Sequence, residues 1–268
     1  MSVGVQTRNR IFRLSGGAIC VLVAVFMAIP AVTVAVLSFA GGTNLVFPPT
    51  SWGFTQYHAV FTNGVWIPAI YESLKIGIPV SVLAVAVGVP AALALQRSRL
   101  ALSGVLRLFG VAPLVVPAVA YAVAMYGFLA EIGIIGSYWG LVFADCMLVL
   151  PFVVIVIESS LSRIPRDLEL VAMTLGASRR RAIFGITFRL LLPAIAASFL
   201  LCFVSNFDEA VFVNFLSGPG VTTLPKAVFN SLRTGLDPSI TAVATILMIL
   251  STAVVAGAWA LRSKNTSV

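Results

Sequence analysis

Three of the nine acidic residues, Asp145, Asp208 and Glu209, fall inside long apolar runs. A carboxylate at the centre of a membrane helix costs about 2.5–3.5 kcal/mol on insertion scales, so such groups face a cavity, a partner or the interface. For Asp208 and Glu209 two chemistries fit: attraction of a cationic solute, or simple hydration near the outer interface. The two are adjacent and would point about 100° apart on one helix, so one lines a path while the other pairs with a neighbour. Asn206 and Asn214 flank them at a spacing that puts both on one polar stripe. For Asp145, pairing with a polar or basic side chain is the simpler expectation than contact with solute. His58 is the single histidine, and a surface role suits it better than metal or base chemistry. Cys20, Cys146 and Cys202 have neither metal-ligand spacing nor a disulfide framework. There is no nucleophile–base constellation and no Gly-x-x-x-x-Gly-Lys-Ser/Thr phosphate loop, so any ATP-derived energy must come from another chain.

The elements that position these residues follow from composition. Of 268 residues, 10% are charged and 60% hydrophobic. Mean hydropathy is +1.07. A soluble domain carries about 25% charged residues, so a soluble globular enzyme, a disordered chain and a fibrous protein are all excluded. A bilayer core needs about 20 apolar helical residues. Six runs meet that need: 14–40, 76–96, 108–130, 138–157, 190–216 and 238–261. The first run follows Arg8, Arg10 and Arg13. It is too long for a signal-peptide core and reads as an uncleaved span. With six spans, 14 of the 17 Lys and Arg residues fall on one side, leaving Lys75, Lys226 and Arg233 on the other. This places both termini in the cytoplasm. The net charge of +8 is then a topology signal with anionic lipid as its local partner, not a nucleic-acid footprint. Trp52, Trp66 and Trp139 fall near span ends and read as interface anchors. The expected fold is an all-α membrane protein of six transmembrane helices, one domain over 1–268.

The inside loop at about 158–189 is charged and helical in pattern. Asp167 and Glu169 suit a helix N-terminus after Pro165. Leu168, Val171, Ala172 and Leu175 form one apolar face, and Gly176 suits the stop. Such a projecting amphipathic helix buries its face in a groove on a soluble partner or lies along the membrane interface.

The loop resembles the EAA motif of permease subunits in binding-protein-dependent ABC importers. Leu170-Val171-Ala172 stand where that motif has Glu-Ala-Ala. Three residues then precede Gly176, Ala177-Ser178 follow it, and nine residues separate it from Ile186. Two positions depart: the glutamate is Leu170 with Glu169 adjacent, and the Leu-Pro pair is Phe188-Arg189. Phe47-Pro48-Pro49-Thr50, Leu150-Pro151-Phe152, Phe207-Asp208-Glu209 and Gly218-Pro219-Gly220-Val221-Thr222-Thr223-Leu224-Pro225 are similar to the polyamine branch, nearest to the second permease of spermidine/putrescine importers.

The resemblance implies a type I importer fold in the bacterial inner membrane. It implies a homologous second permease, two cytoplasmic ATPase subunits that use ATP and Mg, and an external substrate-binding protein. The chain itself would be a non-enzymatic permease subunit with no cofactor or metal. Leu168, Glu169, Ala172, Leu175, Gly176 and Ala177 would couple to the ATPase, and Asp208, Glu209, Asn206 and Asp145 would serve the substrate pathway. A polyamine is the expected cargo; an amino-acid derivative, an opine or an aminophosphonate is the alternative. A secondary transporter would show inverted repeats, and none is visible. A membrane-embedded enzyme would need clustered catalytic groups, which are lacking.

Overall fold

The computed structural model describes the backbone of residues 3–42, 44–97, 103–235 and 237–265; side chains are described for these except 3–15, 103, 106, 109 and 253–265. Among the described residues the chain is helical, without strands. In order the helices are α1 (Val3–Leu37), α2 (Thr55–Thr62), α3 (Trp66–Arg97), α4 (Ser103–Val111), α5 (Ala118–Glu131), α6 (Tyr138–Leu161), α7 (Asp167–Thr174), α8 (Arg179–Ala182), α9 (Phe188–Phe207), α10 (Val211–Leu216), α11 (Leu224–Thr234) and α12 (Ser239–Asn265). A π-turn, Ile183–Thr187, joins α8 to α9. Of the basic residues used to orient the chain, Arg99 lies outside the described residues, as do the side chains of Arg8, Arg10, Arg13, Arg262 and Lys264.

Among the described residues, four stretches are long and apolar enough to cross a membrane: Gly16–Leu37, Trp66–Arg97, Tyr138–Leu161 and Arg179–Phe207. Ala118–Glu131 and Ser239–Thr252 are apolar but shorter. The expected third and fifth spans differ from single helices. Over 108–130 the chain forms the end of α4, a 3₁₀ turn at Ala112–Leu114, and α5. Pro113 and Pro117 each lack an N–H, and Pro117 caps α5, so the hydrogen-bond ladder does not run through. By contrast Pro79, Pro90, Pro151 and Pro193 sit inside continuous helices, as membrane packing allows. The fifth run breaks between α9 and α10.

The chain forms two compact units, one from Met1–Ile67 with Asn230–Val268, the other from Pro68–Phe229. In the first, α12 packs on α1 and α2. Trp66 is not an interface anchor. Its ring is buried, and Nε1–H donates to Ser239 Oγ at 2.8 Å. Burial satisfies the indole N–H there, whereas Trp52 stays exposed. Gln56 Nε2 donates to the carbonyls of Ala40 and Gly42, tying the loop before α2 to the helix. His58 lies exposed on α2.

In the second unit α6 is the central element, apolar all round and therefore buried, with Leu141, Ala144, Val149, Val153 and Ile157 in the core. Ser137 caps its start, its Oγ accepting from Gly140 N–H at 3.0 Å. It packs against α9, while α5 packs against α10. Gly88 lets α3 approach it: a Cβ there would stand 2.8 Å from Val153 Cβ.

Candidate functional site

Two places in the second unit bring chemistry-bearing side chains together. The first lies where α3, α6 and α9 meet. Asp145 on α6 is fully buried. Its Oδ2 accepts from Asn206 Nδ2 at 2.8 Å, and its Oδ1 has no partner among the described residues. The other side of Asn206 rests on Gly77 of α3, where a Cβ would come within 3.2 Å of Asn206 Oδ1. Asp145 and Asn206 are thus a buried pair joining α6 to α9, and Gly77 leaves room for it.

One residue beyond Phe207, α9 stops. Asp208 caps it, with helical φ/ψ and its N–H on Val204 C=O. Glu209 folds back and accepts from the N–H groups of Val211 (2.6 Å) and Phe212 (3.1 Å). That carboxylate starts α10 by taking two otherwise orphaned donors. The expectation of two acids fanned 100° apart on one helix is therefore corrected: the helix breaks, and Glu209 is committed to the backbone. The shared Asn206–Asn214 stripe is lost for the same reason. Asn206 turns inward, while Asn214 Nδ2 donates to Ala210 C=O. Asp208 remains exposed, and its side chain makes no hydrogen bond or ion pair among the described residues.

The second place is α7. Pro165 precedes it, and Asp167 and Glu169 occupy its first turn. Its end is a Schellman motif: Ala177 N–H bonds to Ala172 C=O and Gly176 N–H to Met173 C=O, both at 3.0 Å. Gly176 has φ of +90°, and a Cβ there would meet nothing within 4 Å. The glycine is needed for its backbone conformation, so a larger side chain would strain the backbone without crowding a neighbour. Leu168, Leu170, Val171 and Leu175 are exposed, Leu175 at 83%; Ala172 and Ala177 are half-buried. Glu169 points the other way. Its Oε1 lies 2.9 Å from an Arg97 guanidinium nitrogen at the end of α3, and it also accepts from the Thr187 hydroxyl. The Arg166 guanidinium donates to Gln96 C=O. Sequence reasoning missed Arg97, Thr187, Gln96 and Gly77. Arg97 was visible only as a topology charge, and nothing in its neighbourhood signals a partner 72 positions away.

These features define a helical membrane protein with ionisable groups buried between its helices and one helix presenting an apolar face outside them. Residues 84–261 match the family of binding-protein-dependent transport system inner membrane components, and the chain belongs to that family. It is a bacterial inner-membrane permease subunit of an ABC importer for a small solute, a transporter component and not an enzyme. It is 31% identical to the putrescine transport system permease protein PotI of Escherichia coli (strain K12) over 234 residues, 83% of this chain and 82% of that one. It is 32% identical to the spermidine/putrescine transport system permease protein PotC of Haemophilus influenzae, over 80% of this chain and 83% of that one. The molybdenum transport system permease protein ModB of Mycobacterium bovis is 31% identical over 87% and 88%. A solved bacterial ABC transporter involved in alginate import shares the fold at a TM-score of 0.70 and 17% identity, covering 96% of this chain and 97% of that one.

Proposed function

We propose that this permease carries a small cationic amine of the polyamine class. In this reading it pairs with a homologous second permease, and two ATPase subunits hydrolyse Mg-bound ATP, one of them docking on α7. An external binding protein delivers the cargo, and six spans with both termini cytoplasmic frame the path. The observation that carries the reading is Asp208: an exposed carboxylate with no partner among the described residues, at the end of an apolar helix, where a cation finds a countercharge. Asn206 and Asp145 brace that helix end from within, and Glu209 holds the turn. The putrescine and spermidine/putrescine relatives support the same chemistry. The ATPase reading is supported by the exposed apolar face of Leu168, Val171 and Leu175, which water does not favour and a groove would cover.

The test is uptake into proteoliposomes holding this chain, a second permease, the ATPase subunits and the cognate external binding protein. Labelled putrescine and spermidine should be taken up only with ATP inside. Uptake of molybdate in place of either amine would overturn the cargo reading. Full activity from this chain as a homodimer would overturn the two-permease reading.

A further inference from the structure

The contacts of Glu169 reach beyond docking. Arg97 closes α3, and Thr187 is the last residue of the π-turn that opens α9. Glu169 holds both, so one carboxylate on α7 joins the α7-side ends of two long helices. The ion pair is largely shielded, with Arg97 and Glu169 side chains 12% and 14% exposed, and Thr187 is fully buried. Separating such a pair strands a charge away from water, so the link resists stretching more than a surface ion pair does. Arg166, just before α7, adds a third tie to the carbonyl of Gln96.

The same two helices approach each other again at a distance. Gly77 lies 20 residues before Arg97, and Asn206 lies 19 after Thr187, each about 30 Å along its helix. There Gly77 of α3 meets Asn206 of α9. Between the two places runs an apolar groove of about 630 Å³, lined by Val82, Val85 and Ala86 on one side and Leu192, Ala196 and Phe199 on the other. The helices do not fill it. The π-turn, a geometry frequent at functional sites, sits at the point where the pull would enter α9.

We infer that Arg97, Glu169 and Thr187 form a transmission clamp. They are positioning residues that turn a displacement of α7 into a joint movement of α3 and α9, and so of the helix end that carries Asn206 and Asp208. The inference rests on the reading of α7 as the ATPase dock. It assigns Glu169 to the inside of the permease, leaving an apolar contact through Leu168, Val171 and Leu175 for the ATPase.

The experiment measures ATP hydrolysis and amine uptake in the same proteoliposomes of the full complex. Hydrolysis is counted as the part stimulated by the external binding protein, so ATPase that is not assembled with the permease does not enter the ratio. Glu169→Gln and Arg97→Met should lower uptake per ATP at least fivefold while hydrolysis stays within twofold of wild type. Thr187→Val should lower it about twofold, and the swap Arg97→Glu with Glu169→Arg should recover at least half of the loss. Wild-type uptake per ATP in both single variants overturns the clamp alone. A swap as uncoupled as the singles overturns the ion pair as its carrier. Failure of the wild-type chain to co-purify with the ATPase overturns the docking reading, and the clamp with it.

Discussion

Asp208 and Glu209 are neighbours with opposite commitments, and this predicts a double dissociation. Replacing Glu209 with Ala removes an acceptor from two backbone N–H groups, at 2.6 and 3.1 Å. A helix-start carboxylate of this kind contributes about 1–2 kcal/mol. At roughly 2–4 °C per kcal/mol for a chain of this size, the purified variant should melt several degrees lower. Asp208→Asn removes no hydrogen bond among the described residues and should leave melting unchanged. In the proposed function its effect falls on the cargo. An ammonium 4 Å from a carboxylate gains about 1 kcal/mol in water and about 4 kcal/mol at an effective dielectric of 20. Because Asp208 is exposed on this chain, the lower figure is the appropriate one. It corresponds to a roughly fivefold loss of amine uptake, with binding to the external protein unchanged. The assays are melting in detergent and uptake of labelled putrescine in proteoliposomes. Wild-type uptake by Asp208→Asn, or an uptake loss in Glu209→Ala without a drop in melting, would refute the division of roles.

Three further outcomes are expected. Gly176→Val forces a β-branched residue to φ near +90° at a cost of about 1–2 kcal/mol, with no steric neighbour; uptake per ATP should fall while the variant still inserts, as membrane fractionation and coupled assays would report. Asn206→Leu strands the buried Asp145 carboxyl and should cost about 1.5–3 kcal/mol in thermal stability, whereas exchanging the pair as Asp145→Asn with Asn206→Asp should recover most of it. Gly88→Ala pushes α3 from α6 by forcing a Cβ within 2.8 Å of Val153 Cβ, costing about 1–3 kcal/mol, and Val153→Ala in the same chain should restore part of the loss in melting temperature.

Hydropathy alone made the membrane class legible, because 60% apolar residues in uncharged runs leave few other solutions. Periodicity and punctuation placed α7: Pro165 before it, Gly176 after it, and Leu168, Val171 and Leu175 on its open face. The breaks were less legible. A hydropathy window cannot tell Pro113 and Pro117, which interrupt a span, from Pro79 and Pro90, which do not; neighbouring packing decides. Phe207-Asp208-Glu209-Ala210 holds neither Gly nor Pro, so no local signal marks the end of α9. The stop depends on Glu209 finding the Val211 and Phe212 N–H groups and on Asn206 finding Asp145, 61 positions away. Trp66 read as an interface anchor for the same reason: its partner, Ser239, lies 173 positions off.

The break in α9 also gives the acidic pair its asymmetry. On a continuous helix Asp208 and Glu209 would each need a countercharge or water, doubling the penalty of placing carboxylates at membrane depth. By stopping the helix, the chain gives Glu209 two backbone donors and leaves one uncommitted acid. The rest of the helix end is fixed from inside the subunit, by Asn206 on Asp145 and by the absence of a side chain at Gly77. Asp208 can therefore be neutralised without disturbing the frame that holds it. A relative of similar identity is a molybdenum transport permease, so family membership by itself does not select the cargo. A residue that does so must be free of structural duty and open to the path, and among the acids of α9 and its break Asp208 alone meets the first condition.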